Sequence, residues 1–157
     1  MKHSKTTLII FLFSIVMSNS AQDIYIQGGG TLTDWAHLKK FEKENEQLKK
    51  IDEPNRVVFM GNSITEGWSN FDKDFFINNP FVNRGISGQT TPQMLIRFRP
   101  DVVNLNPKAV VILAGINDIA GNTGPISLKN TAENIISMAE IAKANNIKVY
   151  ICSTLPA

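Results

Sequence analysis

Short, nearly uninterrupted apolar runs alternate along this chain with longer stretches in which apolar residues recur every three or four positions. Val57-Val58-Phe59-Met60, Phe81-Val82, Val110-Val111-Ile112-Leu113 and Val149-Tyr150-Ile151 read as strands buried on both faces. They place strands at 56–60, around 81–83, after Asn106-Pro107-Lys108, and at 148–155. Met94, Leu95, Phe98, Val102 and Val103 mark a helix opened by Thr91-Pro92. Leu128, Ala132, Ile135, Ile136 and Ala139 mark another, opened by Gly124-Pro125 and Ser127 and closed by Asn145-Asn146. An earlier helix is predicted from Thr33 or Asp34, with Trp35, Leu38, Phe41 and Leu48 turned to the sheet and Glu42, Glu44, Glu46, Lys49 and Lys50 turned to solvent. Gly28-Gly29-Gly30 makes 22–32 a flexible lead-in. The order β, loop, β, α, β, α, β predicts a parallel sheet inside a three-layer α/β/α sandwich.

Each of the first three strands ends in a small polar cluster: Gly61-Asn62-Ser63, Asn83-Arg84-Gly85-Ile86-Ser87-Gly88, and Gly115-Ile116-Asn117-Asp118. The carboxyl ends of parallel strands share one edge, so Ser63, Gly88 and Asn117 are expected in one crevice. A hydroxyl with backbone and amide N–H donors around it is the outline of an acyl-transfer site. Each residue also has a plain structural reading. Ser63-Ile64-Thr65-Glu66 fits a capping box, Gly88 a turn of positive φ, and Asn117 an Asx turn. A serine opening a helix can fill both roles, because the helix N-terminus stabilises negative charge. A base is missing from the outline, since the histidines are His3 and His37, both upstream. His37, among Trp35, Leu38, Lys39 and Lys40, reads as a surface residue on the leading helix.

Composition narrows the picture without redirecting it. With 43% hydrophobic and 19% charged residues in 157, one domain with its own core is expected. Lys2 and Lys5, the apolar run from Leu8 to Met17 and Ser18-Asn19-Ser20-Ala21 form the pattern of a cleaved export signal at 1–21, leaving a domain at 22–157. The run is short for a bilayer span, and no cysteine follows it, so no stable membrane anchor is expected and the protein is placed as secreted or periplasmic. Beyond residue 21 the remaining 14 lysines and arginines meet 14 acids, which gives no basic surface for nucleic acid. Cys152 in its apolar run reads as a buried thiol. Asp72 and Asp74 have no histidine at metal-ligand spacing, and Gly61-Asn62-Ser63 lacks the glycines and lysine of a phosphate loop, so neither metal nor cofactor is implied. Arg97 and Arg99, two apart on a helix, are expected on different, solvated faces. Arg84, near Gly88 in sequence, is a candidate for meeting an acidic substrate group, and Trp68 and Phe71 are candidates for either a pocket wall or the core.

Together, Gly61-Asn62-Ser63-Ile64-Thr65, Asn83-Arg84-Gly85-Ile86-Ser87-Gly88-Gln89-Thr90 and Gly115-Ile116-Asn117-Asp118 resemble, in order and spacing, the first three blocks of the SGNH (GDSL-type) hydrolases. The resemblance covers roughly residues 32–157. It implies a flavodoxin-like sheet, with Ser63 as nucleophile and one oxyanion donor, Gly88 as a backbone donor and Asn117 as a side-chain donor. Asn62 stands where the family name has Asp, and Ile64 where it has Leu. The fourth block, an Asp-x-x-His that supplies the base, is not matched, so the chain is expected to continue past Ala157 with a further strand and helix. The implied activity is metal-free hydrolysis of a small ester, an acylated lipid or an acetylated sugar. The rival reading is a catalytically inactive binding domain on the same scaffold.

Overall fold

A computed structural model describes residues 26–154; the export pattern at 1–21 lies outside them. Four strands form one parallel sheet: β1 Val57–Gly61, β2 Phe81–Gly85, β3 Ala109–Leu113 and β4 Lys148–Ile151, in the order β2-β1-β3-β4. Among the described residues six α-helices accompany them, α1 Glu42–Leu48, α2 Ser63–Phe71, α3 Lys73–Ile77, α4 Thr91–Asp101, α5 Ile116–Ile119 and α6 Leu128–Ala144, with a short 3-10 turn at Val103–Leu105. The α/β class, the parallel sheet and the layered arrangement are as the apolar pattern implies.

Register explains where the core sits. Val58 aligns with Val82 and Val110, and Met60 with Ile112, so these side chains share one face of the sheet. Met94, Phe98 and Val102 from α4 and its C-terminus, with Met138 and Ala142 of α6, cover that face and join the same buried cluster. Both helices have firm starts. Thr90 and Gln93 make a reciprocal capping box on α4, one residue ahead of the predicted cap, and the Ser127 hydroxyl accepts the Asn130 N–H at 3.1 Å on α6.

The segment between β1 and β2, predicted as a loop, holds α2 and α3. Its mixed composition hides the helices, but they are fastened to the other sheet face by aromatics. Phe59 meets Trp68, Phe75 and Phe76 edge-on at ring separations of 5.5–5.6 Å, and Trp68 stacks on Phe75 at 4.7 Å. Such pairs add about 0.5–1.5 kcal/mol each beyond area burial. Trp68 is thus tied into this cluster, whereas Phe71 is 92% exposed and lines neither core nor pocket.

The leading helix is shorter than expected and lies elsewhere. The Asp34 carboxylate accepts the N–H groups of Leu38 and Lys39, but His37 takes φ +55°, which breaks the helical path, so α1 begins at Glu42 and packs beside α4. The lead-in is folded where it is described: Gln93 Nε2 donates to the carbonyls of Gln27 and Trp35 at 3.3 and 2.9 Å. Cys152 is exposed, not buried, because β4 ends at Ile151 and its residues are mostly exposed. Arg97, expected in solvent, is fully buried.

Candidate functional site

β1, β2 and β3 end level, Gly61 pairing with both Gly85 and Leu113. The segments that follow them therefore meet along one edge: Ser63 opens α2, Gly88 lies in the turn between β2 and α4, and Asn117 is the second residue of α5. Ser63 is the first residue of α2 and is exposed. The capping box predicted for it does not form. Asn62 is the cap, its Oδ1 accepting the Ile64 N–H at 3.2 Å and its carbonyl the Glu66 N–H at 2.9 Å, which leaves the Ser63 hydroxyl free of a capping duty. The amide Nδ2 of Asn62 is buried without a partner among the described residues. Glu66 does not reach back to the cap; its carboxylate receives the Ser87 N–H at 2.7 Å and pairs with the Lys40 ammonium, bracing the turn after β2. Gly85 lets this happen, since a Cβ there would fall 2.1 Å from the Glu66 nitrogen.

Gly88 has φ +77°, and a Cβ on it would lie 3.0 Å from the Gly28 nitrogen, so both backbone conformation and the close approach of the lead-in call for glycine. Its carbonyl accepts from Asn122 Nδ2 at 3.1 Å. Asn117 Nδ2 donates to the Gln89 carbonyl at 2.9 Å, joining the turn after β3 to the residue next to Gly88. An amide nitrogen carries two hydrogens, so one remains. The backbone N–H groups of Ser63 and Gly88 meet no acceptor among the described residues. Three N–H donors, from three separate chain segments, are thus left uncommitted along the edge that carries the Ser63 hydroxyl.

Several residues that build this edge escaped the sequence reading. Asp118 is buried and accepts the Thr91 N–H at 3.0 and 3.1 Å, together with the Thr91 hydroxyl, which locks α5 to the start of α4. Its adjacency to Asn117 was the available signal. Arg84 is buried too, with four of its five N–H groups on protein acceptors: Asn45 Oδ1 twice, the Asn83 carbonyl and Glu44 at 3.1 Å. Its guanidinium is turned into the protein, not toward the exposed edge, and burial moves it below the ordinary arginine range. His37 is half-buried, not a surface residue; its Nδ1 has no partner among the described residues, and burial, then the Lys40 charge, hold the imidazole below its usual pKa.

A cavity of about 590 Å³ opens at the opposite edge, among the residues preceding β1 and β3, including Ile51, Arg56, Leu105 and Lys108. Ligands of open α/β sheets bind at the carboxyl ends of strands, so this hollow is on the wrong side for the chemistry. Arg56 there is occupied with the carbonyls of Leu48, Ile51 and Leu105. Among the described residues no group of acidic, cysteine and histidine side chains is arranged to hold a metal ion.

The model of the GDSL-like lipase/acylhydrolase family matches residues 59–157, beginning within β1 and taking in all three turns of the site. The chain belongs to this family. Among solved structures, a protein assigned as an acylhydrolase from Bacteroides fragilis is 54% identical, with a TM-score of 0.75 over 79% of this chain and 60% of that one. A GDSL-like lipase from Bacteroides thetaiotaomicron is 53% identical, with a TM-score of 0.73 over 78% of this chain and 60% of the other. The uncharacterized lipoprotein YqeF of Bacillus subtilis is 33% identical over 117 residues, 64% of this chain and 48% of its own length. The chain thus spans about half the length of that curated relative and three fifths of the two crystal structures.

Proposed function

We propose that this chain carries the nucleophile and oxyanion site of a serine ester hydrolase, working through an acyl-Ser63 intermediate. The observation that supports this most directly is the set of uncommitted N–H donors, Ser63 and Gly88 from the backbone and the second amide hydrogen of Asn117, in the segments that follow β1, β2 and β3 along the edge where Ser63 is exposed. Ser63 Oγ attacks the ester carbonyl, its proton passes to a general base, and the carbonyl oxygen becomes an oxyanion in range of those donors. Collapse releases the alcohol, and water then frees the acid from Ser63. The helix α2 N-terminus adds a positive end of a dipole beneath the developing charge.

In this reading His37, half-buried with its Nδ1 against Gly29 of the lead-in, is not the base, and the base and its orienting carboxylate come from outside the described residues. Substrates are small esters, acylated lipids or acetylated sugars. The pattern at 1–21 and the lipoprotein relative both favour an exported protein; no helix of the described residues is long and apolar enough to cross a membrane. The test is hydrolysis of p-nitrophenyl acetate by the full-length protein and by Ser63→Ala. Turnover lost in a folded Ser63→Ala protein is the expected result. A parent protein inert toward acetyl and longer esters alike would instead favour a binding domain on this scaffold.

A further inference from the structure

We infer that Arg97 is a positioning residue that holds the nucleophile turn and the oxyanion turns in register, an inference that rests on Ser63, Gly88 and Asn117 being the reacting set. Arg97 sits inside α4 with no solvent contact. Burying a guanidinium is costly, and a buried ion pair alone is weak evidence of a stabilising purpose. Asp101, at 3.0 Å from Nη1, accounts for the charge and for one N–H. The rest of the fork does something else. Nη2 donates to the carbonyl of Gly61 at 3.1 Å and to that of Arg84 at 2.9 Å, and Nε donates to the side-chain oxygen of Gln89.

Those acceptors flank the site. Gly61 closes β1 just ahead of Ser63, Arg84 lies at the end of β2, and Gln89 follows Gly88 and presents its own carbonyl to Asn117 Nδ2. One rigid planar group therefore joins the backbone at the ends of β1 and β2 to the side chain of Gln89, and reaches Asn117 only through the Gln89 carbonyl, at the point where the sheet ladder runs out. An amine on a flexible stem cannot reproduce that geometry. The fork is itself held. Asp101 Oδ1 accepts from Asn45 Nδ2 at 2.7 Å, and Asn45 Oδ1 accepts from Arg84 Nε and Nη2 at 3.0 and 2.8 Å. Gln89 is anchored from its other end by donation to the Ala36 carbonyl at 2.9 Å.

The test compares full-length parent, Arg97→Lys and Gln89→Met, each quantified by titrating reactive serines with a fluorophosphonate, so that rates are expressed per competent site. Misplacing a reacting group by an ångström costs on the order of 100-fold, so Arg97→Lys is expected to lose about 10- to 100-fold in kcat per titrated site with KM near the parental value. Gln89→Met removes only the Nε acceptor and the Ala36 tie, and a smaller loss in kcat, about 3- to 10-fold, is expected from partial loosening of the same geometry. It decides the matter alone if Arg97→Lys is recovered unfolded. Titrated sites that turn over at the parental rate, whatever the fall in Tm, would overturn the inference and leave Arg97 a purely structural residue. A parent protein that the reagent fails to label at Ser63 would remove its basis, and that failure is visible before any variant is made.

Discussion

Replacing Gly88 by alanine, with Gly121 as the matched control, separates the two reasons for glycine at the oxyanion turn. The residues have nearly the same backbone angle, φ +77° and +71°, but a Cβ at Gly121 meets nothing within 4 Å, whereas one at Gly88 lies 3.0 Å from the nitrogen and 3.3 Å from the Cα of Gly28. The left-handed conformation costs an L-residue about 1–2 kcal/mol in either place. Alanine also narrows the unfolded ensemble at both positions, an offset that cancels in the comparison. Gly88→Ala must in addition push the lead-in backbone away, an overpacking penalty of about 1–3 kcal/mol. For a domain of this size about 1 kcal/mol moves Tm by roughly 2–4 °C, so Gly121→Ala is expected to lower Tm by roughly 3 °C and Gly88→Ala by roughly 10 °C. Calorimetry of both variants reads this directly. Turnover of p-nitrophenyl acetate adds a second readout: displacing the Gly88 N–H is expected to cost about 100-fold in kcat, while Gly121→Ala stays near the parent. Equal Tm and equal turnover in the two variants would refute the claim that the approach of Gly28 constrains this turn.

Other outcomes follow from the same geometry. Asn117→Ala is expected to lower kcat by about 100- to 1000-fold with a small change in KM, because an oxyanion donor acts mainly in the transition state; a loss confined to KM would make Asn117 a substrate contact. Asn62→Ala removes the cap that α2 actually uses and is expected to cost about 1 kcal/mol in denaturant unfolding, whereas Ser63→Ala leaves the cap intact and stability nearly unchanged. His37 is held below the usual histidine value of 6.5 chiefly by burial, so the unfolded chain binds its proton first as pH falls. Stability is therefore complete above about pH 6.5 and declines below it, and His37→Gln is expected to flatten that part of the Tm-against-pH curve. Parallel curves for parent and variant would count against it.

The strands were legible because a parallel sheet covered on both faces writes itself as continuous apolar runs, and the shared edge of Ser63, Gly88 and Asn117 followed from that. The helices between β1 and β2 were not legible: Ile64, Trp68 and Phe71 keep helical spacing, but Gly67, Ser69 and Asn70 are weak helix formers, α3 is a five-residue helix, and the two are held by Phe59 and Phe81 receiving Trp68, Phe75 and Phe76, which lie far apart in sequence. The leading helix failed for a local reason, since Asp34 caps a turn as well as it would cap a helix, and His37 in the left-handed region is not written in the apolar spacing. Arg97 and Asp101 stand four apart, the spacing of an ordinary surface pair. Their burial depends on carbonyls from β1 and β2 converging on the same point, which only the folded chain reveals.

The measurement that bears most directly on the whole account is mass spectrometry of the full-length protein after reaction with a fluorophosphonate ester. The account requires one phosphonyl adduct, mapped to the peptide containing Ser63, formed in step with loss of esterase turnover and absent from Ser63→Ala. An adduct on another residue, or turnover that survives complete labelling of Ser63, would contradict it.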